Sequence, residues 1–208
     1  RRAFSNGMSA KLLCMNADSE RCVSSLQLLR ANDFDVEVVK PEAHRCGVWS
    51  NFVTMRKLMQ QAAKQDGWTY FFEDDLMDSH PRVSGAALRE HENVSDHDLH
   101  FLGICGPAHF KGASSADAVA GRCTHAFAVN KTAAKTLLRR SERLAARPPM
   151  CSLPSAYFDV TVDKYCRKER RCSLTPWATQ SPQARDHWGY YHQDRARFPA
   201  SSPWWKLL

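Results

Sequence analysis

With 208 residues, 43% of them hydrophobic and 25% charged, the chain is long enough for a sizeable core and has the balance of a globular protein. Its net charge of +7, from 29 Lys and Arg against 22 Asp and Glu, favours anionic partners. Without an RNA-binding signature or zinc-finger spacing, nucleic acid is not expected among them. No run approaches the roughly 18 apolar residues of a membrane span. The opening RRAFSNG has neither an initiator Met nor a signal-type apolar stretch, as expected of a fragment or trimmed chain.

The pattern along the chain starts with KLLCMN, Lys11 to Asn16, which reads as a strand. Asp18 is placed to cap a helix from Ser19 to about Arg30, with Val23, Leu26 and Leu29 as its apolar face. After a break at Asn32 and Asp33, VEVV from Val36 to Val39 reads as a second strand, giving a β-α-β unit with parallel strands. From Val48 to Lys64, helical spacing brings Phe52, Met55, Met59 and Ala62 together as a core stripe. Asp66 and Gly67 stop that helix.

WTYFFEDDLMD, Trp68 to Asp78, comes next. Trp68 to Phe72 has the composition of a short buried strand, and it runs into Glu73, Asp74 and Asp75. In open α/β sheets ligands bind at the C-terminal ends of the strands. Hard carboxylate oxygens at such a place suit Mg²⁺ or Mn²⁺ shared with substrate phosphates. An exposed acidic turn is the plainer alternative.

His80 to Asp98 reads as irregular with a short helix near Ala86 to His91. LHFLGIC, Leu99 to Cys105, is a strand, Gly106 to Gly121 a long Gly, Ala and Ser-rich loop, and His125 to Val129 another strand. A helix is expected from Lys131 to Arg147, with Ala134, Leu137, Leu138 and Leu144 inward, ended by Pro148 and Pro149. A further helix runs from Tyr157 to Arg170, with Asp159, Asp163 and Cys166 on one face and Phe158, Val162 and Tyr165 on another. From about Cys172 an irregular tail is expected to wrap over the single domain. The order is that of a nucleotide-binding type of α/β fold, yet no GxGxxG or P-loop accompanies it.

The eight cysteines include no CxxC pair, which argues against zinc and is compatible with disulfides in a secretory compartment. Cys14 and Cys105 fall in strands and could equally be buried thiols. Sequons stand at Asn93 and Asn130, the second also a candidate helix cap. Basic clusters at Arg139, Arg140, Arg143 and Arg147, and at Lys164, Arg167, Lys168, Arg170 and Arg171, read as anion-attracting patches or as solvated helix faces.

Four stretches in order carry a resemblance: MNADSER (Met15 to Arg21), GVWSNFVTMRKLM (Gly47 to Met59), TYFFEDDLM (Thr69 to Met77) and GRCTHAFAVNKTAAKTLL (Gly121 to Leu138). They resemble glycosyltransferase family 25, which holds lipooligosaccharide and collagen galactosyltransferases. Asn51 stands where the family usually has His. The resemblance implies a GT-A fold with a mostly parallel sheet flanked by helices, a UDP-linked galactose or glucose donor, a glycan or glycoprotein acceptor and inversion at the anomeric carbon. It also implies Mn²⁺ or Mg²⁺ at Asp75, with Glu73 or Asp74 on the ribose or a metal-bound water. His187 and His192 of the tail are candidates for a further ligand. Asn16 and Arg21 would help hold the nucleotide. Asp159 would be the base that takes the acceptor proton, with Asp163 as its rival, although an Asp at a helix start is also favoured by the macrodipole. The expected location is the lumen of the Golgi or endoplasmic reticulum, with the cytoplasm as the alternative. Two other readings compete: a metal-dependent phosphodiester hydrolase, drawing on Asp98 and His125, and a non-catalytic sugar- or nucleotide-binding domain.

Overall fold

The computed structural model describes residues 8–44, 46–74, 76–78, 88, 92, 96–104, 124–146, 158–169 and 171–180. Among them, β1 (Met8–Leu13), β2 (Phe34–Val39), β3 (Trp68–Glu73), β4 (Leu76–Asp78), β5 (Leu99–Ile104), β6 (Ala126–Asn130) and β7 (Cys172–Gln180) make one sheet. Its order is β2-β1-β3-β6-β5-β7-β4. β2, β1, β3, β5 and β7 share one direction, and β6 and β4 oppose it. The helices are α1 (Glu20–Arg30), α2 (Gly47–Ala62), α3 (Lys131–Ala145) and α4 (Phe158–Glu169).

β3 is buried along its middle because both faces of the sheet are covered. Its alternation sends Phe71 into the core beneath α2, α3 and α4, where it stacks on Phe127 at 5.2 Å. Tyr70 and Phe72 enter the opposite core with α1, and Phe34 meets their rings edge-on at 5.1 and 5.2 Å. The expected stripe of Phe52, Met55, Met59 and Ala62 on α2 is buried in the first core. Since α1 and α2 lie on opposite faces, a crevice opens between the C-terminal ends of β1 and β3.

Several expectations are corrected. α1 begins one residue late: Ser19 caps it, accepting from the Cys22 N–H, while the Asp18 N–H turns back to Asn16 Oδ1. Its inward residues are Cys22, Ser25 and Leu29, and Val23 is 40% exposed. Leu29, and in part Leu26, pack on the core as expected, so only Val23 of that face departs; Cys22 is bonded to Cys14 just after β1, so Cys14 is no free thiol. A second disulfide joins Cys166 to Cys172, and Cys46 is a buried thiol. Cys105, Cys123, Cys151 and the sequon at Asn93 lie outside the described residues, as do the loop 106–121 and most of the short helix expected near Leu88.

The largest correction concerns the segment after Cys172. Its first part, Cys172–Gln180, is not irregular but the strand β7, parallel to β5 and carrying β4 on its far side. Pro176 hid it, because a proline cannot donate to a ladder. The pairing accommodates it by a register shift: Phe101 faces Leu174, and Gly103 faces Ala178. Residues from 181 onward are outside the described set.

Three polar networks fix the frame. Thr54 on α2 is buried; its hydroxyl accepts the Glu42 N–H at 2.8 Å and donates to the Ser50 carbonyl at 2.7 Å, while Ser50 donates to the Glu42 carbonyl. The loop between β2 and α2 is thereby tied to the helix. Thr54→Val is expected to lower stability by about 1–2 kcal/mol through the orphaned Glu42 N–H, read as a lower urea midpoint. Asn130 caps α3 as expected, accepting from the Thr132 and Ala133 N–H groups and donating to Asp98 Oδ1 at 2.8 Å. A glycan on that amide nitrogen would crowd the bond to Asp98, whereas the capping bonds use the oxygen. Arg140 bonds Glu169 and the Lys164 carbonyl and lies 5.8 Å over the Tyr165 ring; Arg167 pairs with Asp163, and Arg171 with Asp98. These three members of the basic clusters have structural partners. No described helix is long and apolar enough to cross a membrane.

Candidate active site

The acidic strand end lies where the fold opens. β3 delivers Glu73 and Asp74 to the edge at which β1 ends and β6 begins, since Phe72 pairs with Ala126 and Leu13 with Glu73. The Glu73 N–H donates to the His125 carbonyl at 2.8 Å, locking the two elements at that point. Asn51 of α2 donates from Nδ2 to Glu73 Oε1 at 3.2 Å. Arg21 of α1 donates from Nη2 to Asp74 Oδ1 at 2.7 Å. Two helices from opposite faces thus each orient one carboxylate. The Asn51 side chain is the contact that sequence reasoning flagged only as a departure from the family pattern.

Beside this pair lies an open cavity of about 520 Å³, bounded by Met15, Pro41, Ala43, His44, Gly47 and Asn51. Its size is that of a small-molecule site. Asn51 belongs both to the cavity wall and to the acidic pair. His44 Nδ1 accepts the Cys46 N–H at 3.0 Å, leaving its Nε2 to carry the proton of the neutral ring. Asn16 uses its own side-chain oxygen to accept the Asp18 N–H at 3.0 Å, so it shapes the turn after β1.

Asp159 reaches the same edge from α4. Its carboxyl accepts a hydrogen bond from Thr124, two residues before β6. Burial pushes the Asp159 carboxyl from 3.8 up to about 6, against the opposing pull of the Thr124 hydroxyl and of its own backbone N–H. Asp163, one turn further along, is held by Arg167 Nε at 3.0 and 3.1 Å. The two carboxyls are therefore separated by their surroundings: Asp159 is raised by burial, whereas Asp163 is engaged in an ion pair with Arg167.

Asp75, His187 and His192 lie outside the described residues. Among the described residues no three His, Cys, Asp or Glu side chains form a group able to hold a metal. The part of the donor set that is described, two strand-end carboxylates, fits Mg²⁺ or Mn²⁺, which take one or two carboxylates and complete their shell with phosphates and water. Asp98, by contrast, is at the far edge: it precedes β5, and the pairing of Leu99 with Val129 and of Asn130 with Trp68 puts it beside the start of β3. That is roughly 15 Å from the acidic end at 3.3 Å per residue. Asp98 cannot join His125 in a hydrolytic site.

No protein-family model matches the chain, and no curated protein matches it. Its fold is similar to the crystal structure of a glycosyltransferase involved in glycosylation of the major capsid of PBCV-1. The identity is 15%, the TM-score 0.54, and the match covers 82% of each chain. A 4-diphosphocytidyl-2C-methyl-D-erythritol synthase from Anaerococcus prevotii matches at 10% identity over 83% of this chain and 88% of that one. Its TM-score of 0.40 is too low to bear on the fold. The sheet order, the helices on both faces and the first of these likenesses establish the architecture as an α/β fold of the GT-A type.

Proposed function

We propose that the chain is a metal-dependent, inverting glycosyltransferase of the family 25 kind. It would move galactose or glucose from a UDP-sugar to a hydroxyl of a glycan or glycoprotein. The observation that carries this reading is that Asp159, through Thr124, is placed at the same sheet end as Glu73 and Asp74, from elements far apart in sequence. Glycosyl transfer needs both an anchor for a departing diphosphate and a base for the incoming hydroxyl, and on this reading the edge would supply each.

In that reaction the Asp159 carboxylate takes the acceptor proton as the acceptor oxygen attacks the anomeric carbon. The bond from that carbon to the diphosphate breaks on the opposite side. A carboxyl titrating near 6 is largely ionised at neutral pH yet basic enough to accept the proton. Glu73 and Asp74, with Asp75, would hold Mn²⁺ or Mg²⁺, which supplies Lewis-acid stabilisation of the leaving diphosphate. Arg21 adds positive charge beside it, and the cavity bounded by Met15, His44 and Asn51 would take the nucleoside. His187 and His192 remain the tail's candidates for a further ligand. The two disulfides among the described residues support a lumenal setting, Golgi or endoplasmic reticulum.

The test is thermal. UDP with Mn²⁺ together are expected to raise Tm by several degrees, by mass action on the folded state, and Asp75→Ala is expected to abolish the gain. A donor panel with Mn²⁺ then reads the sugar from transfer or slow hydrolysis. A melting point indifferent to UDP and Mn²⁺ overturns the reading. Binding without turnover of any donor would instead support the non-catalytic domain.

A further inference from the structure

We infer that the Cys14–Cys22 disulfide is a positioning element of the donor site: it holds Arg21 against Asp74, and without it donor affinity falls although the fold persists. The inference rests on the reading of this edge as a donor site.

The bond joins the residue after β1 to the first turn of α1, and both cysteines are buried, at 1% and 0% exposure. Between them, residues 15–21 bury no apolar side chain, and Met15 is 69% exposed. Their hydrogen bonds are local: Ser19 N–H and Oγ to the Asn16 carbonyl, and Asp18 N–H to Asn16 Oδ1. Among the described residues, only the Arg21–Asp74 pair carries this segment across to β3. A segment so poor in burial has little of its own to fix its shape. The disulfide closes it at both ends, one bond from Met15 on the cavity wall and one bond from Arg21.

Arg21 is held at one end of its guanidinium, by Asp74 at Nη2. Its Nε is buried with no hydrogen-bond partner among the described residues. A guanidinium free to choose its position would avoid burying an unsatisfied N–H. On this inference, anchoring of the neighbouring Cys22 is what keeps the side chain there. The Cys166–Cys172 bond is the natural contrast, since it joins α4 to β7 at the far edge, next to Arg171 and Asp98.

The experiment measures UDP affinity in the presence of Mn²⁺, beside Tm, for Cys14→Ala/Cys22→Ala, Cys166→Ala/Cys172→Ala and Arg21→Ala. A volume-restoring pair, Cys14→Val/Cys22→Ala, serves if the first melts too early to assay. Loss of the first disulfide is expected to weaken UDP binding about tenfold, as is Arg21→Ala. Combining the two should cost about tenfold again in total, not a hundredfold, because both act through one contact. Loss of the second disulfide should lower Tm and leave the affinity unchanged. Unchanged affinity without Cys14–Cys22, or losses that multiply with Arg21→Ala, overturns the inference while the donor-site reading stands. A wild-type protein that binds no UDP with Mn²⁺ overturns both.

Discussion

Replacing Asp159 by Asn is expected to cut glycosyl transfer by about 10²–10⁴-fold, leave UDP–Mn²⁺ binding intact and make the protein more stable at pH 7.5. The stability sign follows from the raised carboxyl. Burial lifts Asp159 from 3.8 to about 6, so the folded protein holds this proton more tightly than the unfolded chain. The stability this contributes is complete below about pH 4 and is lost as pH climbs through 6. Asn carries no such proton and can still accept from Thr124, so it escapes the loss. The gap corresponds to at most about 3 kcal/mol, or roughly 6 °C in Tm for a chain of this size. At pH 3.5 the two proteins should melt alike. Transfer by the wild type should rise as pH passes 6, a limb absent from the variant's residual rate. Retained turnover, or a variant that melts lower at pH 7.5, would remove Asp159 from its role.

Asp98→Ala should give the opposite pattern: a large loss of stability with donor affinity preserved in the protein that remains folded. The Asp98 carboxylate accepts from Asn130 Nδ2 at 2.8 Å, Arg171 Nε at 2.6 Å and the Tyr165 hydroxyl at 3.4 Å. It staples the start of α3, the inner face of α4 and the entry to β7 to one residue, and the Asp98 N–H adds a bond to the Arg171 carbonyl. Burial and the Asp98 charge together push the Tyr165 phenol well above its ordinary value, so it stays protonated as a donor. Removing the acceptor strands the Asn130 amide and the Tyr165 hydroxyl inside, while Arg171 can turn to water. The cost is about 3 kcal/mol, seen as a Tm lower by about 6–10 °C. A shift smaller than 2 °C would show that the staple is dispensable.

These residues also mark how far the sequence could be read. Element types in the first 75 residues were legible because burial there is periodic: β3 alternates between two cores, and α2 repeats its Met stripe at helical spacing. The acidic end of β3 was legible for the same reason, since a buried strand that runs into carboxylates must put them at a sheet edge. The face of α1 was legible in part: Leu29 is buried and Leu26 packs against the core, while Val23 turns outward and Cys22, bonded to Cys14, turns inward. β7 was missed because Pro176 is read locally, whereas its pairing with β5 is set across the sheet.

For the strand end itself, the sequence determined the residue types: three consecutive carboxylates after a buried strand, oxygens of the kind that suit a divalent cation. Only the tertiary structure decided their company. Arg21 and Asn51 meet Asp74 and Glu73 because α1 and α2 lie on opposite faces of the sheet, and Asp159 arrives because α4 begins beside Thr124. Asp98 and Asp163 carry the same functional group and are taken elsewhere, one to the far edge and one to Arg167. Residue type sets what a side chain can do; strand order and helix placement set which of those capacities share one space.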